Sequence, residues 1–166
     1  NLRVLGRLKE AHAALDSVLA EYQADDATAP DDLADAQLEK AALLRGQGDV
    51  GAAQAMLDAI ASKLLADDDL LSGRVTAERA RIALAQSQLD QAQALFDDAH
   101  ALIIKARGAQ ELQAWLLRVD LAESLNQSGA SAQARALASE IVAKVQAGID
   151  PAGRWAQRLR QLGATI

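Results

Sequence analysis

Asp97 and His100 stand three residues apart in a segment of helical spacing. A carboxylate and a histidine so spaced form the unit from which di-iron helical bundles build their metal sites. Such a site needs a second carboxylate–histidine pair and two further glutamates. The other histidine is His12, and Lys9 stands at its matching place, so the second pair is missing. A solvated helix face is the expectation there. Asp67-Asp68-Asp69 has the acid density of a calcium loop. It runs on into Leu70-Leu71-Ser72-Gly73 without alternating ligands or a distal glutamate, and reads as an acidic loop that caps the next helix. The chain has no cysteine, which removes disulfides, thiolate ligands and cysteine nucleophiles. It has no phosphate loop, no Ser-His-Asp order, no His-Glu-x-x-His and no dinucleotide glycine pattern. With two histidines, acid–base chemistry has few candidates. A protein that is not an enzyme and uses no metal or cofactor is expected.

Charge narrows the partners. The net charge is −6, which disfavours nucleic acid, whose phosphates need a basic face. Residues 25–69 hold eleven acidic and three basic side chains. Residues 151–166 hold Arg154, Arg158 and Arg160 and no acid. Around Trp155 those arginines form a short amphipathic segment of the kind that touches anionic membranes. The competing reading is a cap on the last repeat, with Trp155 and Leu159 inward and the arginines outward, and the cap is the expectation. No charge-free apolar run approaches the ~18 residues a membrane span needs. A cytoplasmic location without membrane contact is expected.

The elements that would position any site repeat along the chain. Gly6, Gly48, Ser87 and Gly129 each precede an alanine by five residues: Ala11, Ala53, Ala92 and Ala134. Those alanines are spaced 42, 39 and 42 residues apart. Hydrophobic residues make up 51% of the chain but aromatics only 2%, so the core must be built from Ala, Leu, Val and Ile, and the fold is read as all-α. Fixed-period similarity in such a chain predicts stacked helical hairpins. Asp, Gly, Pro and Ser punctuate the chain at 25–32, 67–73, 106–109 and 148–153. The map is one domain over 1–166, with a half repeat at 1–24 whose helix covers 7–24. Hairpins follow at 33–65, 74–105 and 111–147, then a capping helix at 151–162. Asp150-Pro151 suits the start of that helix and Gly163 its end. Leu38, Ala41, Ala42 and Leu44 should meet Val50, Ala53, Leu57 and Ile60. Ala80, Ala83 and Leu84 should meet Leu89, Ala92, Phe96 and Ala99. Leu121, Ala122 and Leu125 should meet Ala134, Leu137 and Ile141. The repeated alanines let helix axes approach closely.

These residues resemble the tetratricopeptide repeat (TPR) family. The family's small residue before the turn falls on Ala41, Ala80 and Ala122, and its alanine after the turn on Ala11, Ala53, Ala92 and Ala134. Its aromatic site falls on Leu15, Leu57, Phe96 and Ala138, so only Phe96 is literal. The tryptophan position holds Gln37, Thr76 and Arg118, and the closing proline is missing. The period of about 41 residues exceeds the family's roughly 34 by about one helical turn per helix. Long alanine-rich repeats of this kind look like the helical arms of bacterial signalling proteins.

The resemblance implies a right-handed superhelix of antiparallel hairpins whose first helices line a concave groove. The groove positions then fall on Asp35, Leu38 and Arg45; on Arg74, Ala77, Arg81 and Leu84; and on Val119, Glu123, Asn126 and Gln127. Arg74 and Arg81 would hold an anion, Arg45 and Asn126 would flank it, and Leu38, Leu84 and Val119 would form an apolar floor. The alternative is that the arginines pair with Glu78, Asp35 or Glu123 and only solvate the surface. The expected function is non-catalytic protein–protein interaction: an arm of a larger regulatory protein that binds an acidic peptide or a helix. The alternative is a ligand-sensing domain with a small molecule inside the superhelix. The chain opens inside what reads as a cut hairpin, so it is expected to be a piece of a longer protein. Leu8, Leu15 and Val18 should then form an open apolar stripe that self-associates.

Overall fold

A computed structural model of the chain describes residues 8–25, 27–64, 68–109, 111–145 and 153–165. Among them it is all-helical, with no strand. The helices are α1 (Leu8–Ala24), α2 (Pro30–Gly46), α3 (Val50–Leu64), α4 (Asp69–Ala85), α5 (Leu89–Arg107), α6 (Leu112–Gln127), α7 (Ser131–Val145) and α8 (Arg154–Gln161). The pairs α2 with α3, α4 with α5 and α6 with α7 pack together, each across a three-residue connection. The pairs meet through α3 with α4, α5 with α6, and α2 with α4. Helix α1 lies on α2, and α8 meets α7.

Two helices begin earlier than the punctuation suggested. Helix α2 starts at Pro30, whose fixed φ and missing N–H suit the first turn, and Asp31 and Asp32 follow where the helix dipole favours acids. Helix α4 starts at Asp69, and the Asp68 carboxylate accepts from the Leu71 N–H at 2.9 Å. Gly73, read as part of a break, therefore lies inside α4. It is buried there against α5, where small size rather than flexibility is what the packing requires. Gly6, Asp67 and the Asp150-Pro151 start lie outside the described residues.

The periodic apolar residues do form the core. Ala34, Leu38, Ala41, Ala53, Leu57 and Ile60 cluster with Leu71, Val75 and Ile82. Phe96, Ala99, Ile103 and the apolar faces of α6, α7 and α8 make a second cluster, and α4 feeds both. Ala53 and Ala92 are 0% exposed and Ala134 1%. A leucine at Ala92 would add volume where none is free. Ala92→Leu should lower stability by about 1–3 kcal/mol through overpacking, and a denaturant midpoint equal to wild type would contradict this.

The turns share one geometry. The N–H groups of Asp49, Gln88 and Ala130 donate to the carbonyls of Leu44, Ala83 and Leu125 at 2.9–3.0 Å. This Schellman arrangement puts the residue before the donor in the left-handed region. Those residues are Gly48 (φ 86°), Ser87 (φ 61°) and Gly129 (φ 90°). Among the described residues only Ser87 holds this conformation with a side chain, at roughly 1 kcal/mol relative to glycine.

The open stripe expected on α1 is not what the structure shows. Leu15 and Val18 are half-buried, Ala11 and Leu19 are buried, and the Leu8 side chain lies outside the described residues. Among the described residues the exposed large hydrophobic is Leu112, at the start of α6.

Candidate functional site

Helices α2, α4, α6 and α8 are linked by charged pairs whose partners stand 33 to 39 residues apart in sequence. Asp35 of α2 pairs with Arg74 of α4, 39 residues on. Arg45 donates through Nε to Glu78 Oε2 at 3.1 Å. Arg81 donates to Glu78 Oε1 at 2.7 Å and, 39 residues on, to Asp120 Oδ2 at 2.8 Å. Arg158 of α8 donates to Asp120 Oδ1 at 2.7 Å and to both oxygens of Glu123, at 2.6 and 2.7 Å. The result is one chain of alternating charge: Arg45, Glu78, Arg81, Asp120, Arg158, Glu123. Burial works against the Arg81 charge, but Glu78 and Asp120 together outweigh it and hold the guanidinium above its ordinary pKa. The hydrogen bonds to Glu123, against desolvation and with help from Asp120, raise Arg158 likewise. Partly exposed pairs of this kind are each worth about 0.2–1 kcal/mol. They link α2 to α4, α4 to α6 and α6 to α8.

An open groove of about 680 Å³ follows this chain. Arg45, Arg81, Asp120 and Glu123 line it with Leu84, Ala85 and Leu89 and with Ser87, Ser124, Gln127 and Ser128. A hollow of about 240 Å³ adjoins it at Arg81 and is lined by Leu38, Arg74, Glu78 and Leu117 among others. Another of about 280 Å³ continues past Glu123 to Asn126, Gln127 and Arg158.

The residues expected in the groove distribute as follows. Arg45, Arg81, Leu84 and Glu123 come together in the main groove. Arg74 and Leu38 line the adjoining hollow, although Leu38 is mainly core at 5% exposure. Asn126 lines the far hollow and accepts from the Ser131 hydroxyl at 2.9 Å. Val119 is 0% exposed and belongs to the core, so it is no part of a groove floor. Arg74 and Arg81 are not an unpartnered positive patch, because each has a carboxylate partner. The outward placing of Arg158 is corrected in the same way: it faces α6. Leu159 does point inward, and Trp155 packs against the core beside it.

The fold has a solved counterpart. It is similar to the crystal structure of BtubC (BKLC) from P. vanneervenii, with a TM-score of 0.75 at 17% identity over 98% of this chain. The chain spans 66% of the length of that protein. The likeness is one of fold. No protein-family model matches the sequence. No curated protein matches it either. No helix among the described residues is long and apolar enough to cross a membrane.

The two histidines enter other clusters. Lys40, buried in α2, donates to His12 Nδ1 and to Asp16 Oδ1, each at 2.6 Å. His12 Nε2 lies 2.6 Å from Gln47 Oε1, which fits the Nε2–H tautomer. This cluster ties α1 to α2. Sequence reasoning missed this cluster, because the burial of Lys40 depends on how α1 packs on α2 and not on any motif. Asp97 bonds to Arg118. His100 instead packs edge-on to Trp115, with ring centroids 4.8 Å apart. The two residues therefore serve separate contacts. No group of three or more metal-ligating side chains occurs among the described residues.

Desolvation lowers the His100 pKa from its ordinary 6.5, with Glu140 opposing. Below pH 6.5 the unfolded chain takes up that proton more readily than the folded one, so the His100 contribution is intact above 6.5 and declines as pH falls towards the folded value. Wild type should lose more stability than His100→Gln between about pH 7.5 and about pH 5 in parallel urea titrations. Equal losses would contradict this.

Proposed function

We propose that this chain is a non-catalytic docking arm. In this reading it is a right-handed, TPR-like superhelix of helical hairpins, closed by α8, within a larger bacterial signalling or regulatory protein of the cytoplasm. An acidic peptide segment would lie along the face of α2, α4, α6 and α8. Packing between sequence neighbours and ion pairs 39 residues apart support the repeat reading. The observation that carries the docking role is the groove of about 680 Å³, continued by hollows at either end of one helix face. A long, open, charged channel suits a chain segment. A small-molecule sensor calls for a deeper apolar pocket with a few convergent polar groups. Arg74 lies outside the main groove and Arg81 spends both terminal nitrogens on Glu78 and Asp120, whereas Arg45 lines the groove and pairs with Glu78 through Nε, so the anion contact moves to Arg45.

A peptide array probed with the labelled chain tests this reading. Bound peptides should be enriched in Asp and Glu and should fade between about 0.05 M and about 0.5 M salt, as partly exposed charge contacts are screened. Arg45→Ala should lose them. Binding without acidic enrichment, or an unchanged set with Arg45→Ala, would contradict the reading.

A further inference from the structure

We infer that Arg158 of α8 sets the sign of the charge that the groove accepts: in place it admits an acidic side chain, and without it Asp120 and Glu123 become a seat for a partner's guanidinium. The inference rests on the docking role proposed above and names the residue that gives that role its preference.

A count of charges leads there. Arg45 and Arg81 bond to Glu78, and Arg81 also to Asp120. With Glu123, which lines the same groove, two arginines stand against three carboxylates. The whole chain carries −6, so its background field also opposes an acidic partner. Arg158 supplies the balancing positive charge. It belongs to residues 151–166, which hold Arg154, Arg158 and Arg160 and no acid. Its three hydrogen bonds of 2.6–2.7 Å take one oxygen of Asp120 and both of Glu123. Arg81 takes the other Asp120 oxygen, and Arg45 and Arg81 take the two of Glu78. An incoming carboxylate therefore meets acids that are already paired. Bare acids in the same place would repel it and attract a basic side chain instead.

Holding α8 in place falls to other residues. Ala156 and Leu159 are 0% exposed, and Leu162 and Ala164 are buried with them in the core cluster. These apolar side chains dock the helix, whereas ion pairs whose side chains are 26–32% exposed add little to stability. Arg158 and Glu123 also line the far hollow of about 280 Å³. Shortening Arg158 would thus vacate space that is open to solvent, not space inside the core. The vacated acceptors have the forked arrangement that a guanidinium fits, with both oxygens of Glu123 taken by Nε and one terminal nitrogen.

The test compares wild type, Arg158→Ala, Arg158→Lys and the double variant Arg158→Ala with Glu123→Gln on one peptide array at about 0.05 M salt. Wild type should prefer peptides rich in Asp and Glu. Arg158→Ala should bind those about threefold to tenfold more weakly and should gain peptides rich in Arg. Arg158→Lys keeps the charge and should keep the acidic preference. The double variant should not gain the basic peptides, because Glu123→Gln removes the surplus acid. Millimolar methylguanidinium should restore the acidic preference of Arg158→Ala by filling the vacated seat. Circular dichroism follows the fold, and Arg158→Ala should melt within about 6 °C of wild type. A larger drop would show that the arginine itself holds α8, and overturns the inference. An unchanged acidic preference in Arg158→Ala, or loss of the acidic peptides without gain of basic ones, overturns it as well and leaves the docking role standing. Basic peptides bound by Arg158→Ala, with no acidic peptide bound by wild type, would keep the guanidinium seat and overturn the docking of an acidic segment.

Discussion

Replacing Phe96 with alanine should lower stability by about 3–5 kcal/mol, the largest effect expected of any single truncation in the chain. Phe96 is 0% exposed and heads the fully buried side chains by volume. Its cluster is rich in alanine: Ala77, Ala80, Ala99 and Ala114 belong to it. An alanine has no rotamer with which to swing into a cavity, so the hole left by the ring would persist, and a persistent hole is what makes a truncation expensive. Urea titration reads the loss. A change below about 1 kcal/mol would show that the helices collapse freely around the site, contrary to close packing between small residues.

Gly73→Leu should cost about 3 kcal/mol, at the upper end for overpacking. A Cβ at Gly73 would stand 2.7 Å from Ile103 Cγ1 and 3.2 Å from the Ala99 carbonyl oxygen. Ile103 is fully buried and the carbonyl is backbone, so neither can step aside, and α4 must move off α5. Better helix propensity offsets this by only about 1 kcal/mol. A Cβ at Gly51 in α3 would have nothing within 4 Å, so Gly51→Ala serves as the control and should be neutral or slightly stabilising. A Gly73→Leu variant as stable as wild type would mean that the contact between α4 and α5 is looser than described.

The all-helical class and the buried alanines were legible because their physics is local. An alanine five residues after a turn says where a small side chain is needed, and Ala53, Ala92 and Ala134 are buried accordingly. Gly73 and Pro30 were misread because residue type alone carries two meanings. Glycine marks either a break or a close approach, and proline either an end or a first turn. Which applies depends on what packs opposite, and that is not local. The ion pairs stood further from view. Asp35 and Glu78 were named as possible partners of the groove arginines, and both are partners. Glu123 was named as well, but it pairs with Arg158 of α8. Choosing among these needs the rotation of one helix relative to another a whole repeat away. The floor residue Val119 failed for the same reason: a small error in helix phase turns a groove position into a core position.

Hydrogen exchange on the chain with an acidic peptide selected from the array tests the central claim most directly, since it reports where the partner lies. The account predicts slowed exchange at the C-terminal ends of α4 and α6 and in the turns at 85–89 and 126–130, the backbone that borders Arg45, Ser87 and Gln127. Peptide binding is accepted with α3, α5 and α7 unchanged on their outer faces. Protection confined to those outer faces, or to the acidic segments at 27–32 and 68–69, would place the partner elsewhere and contradict the claim that the face of α2, α4, α6 and α8 is the docking surface.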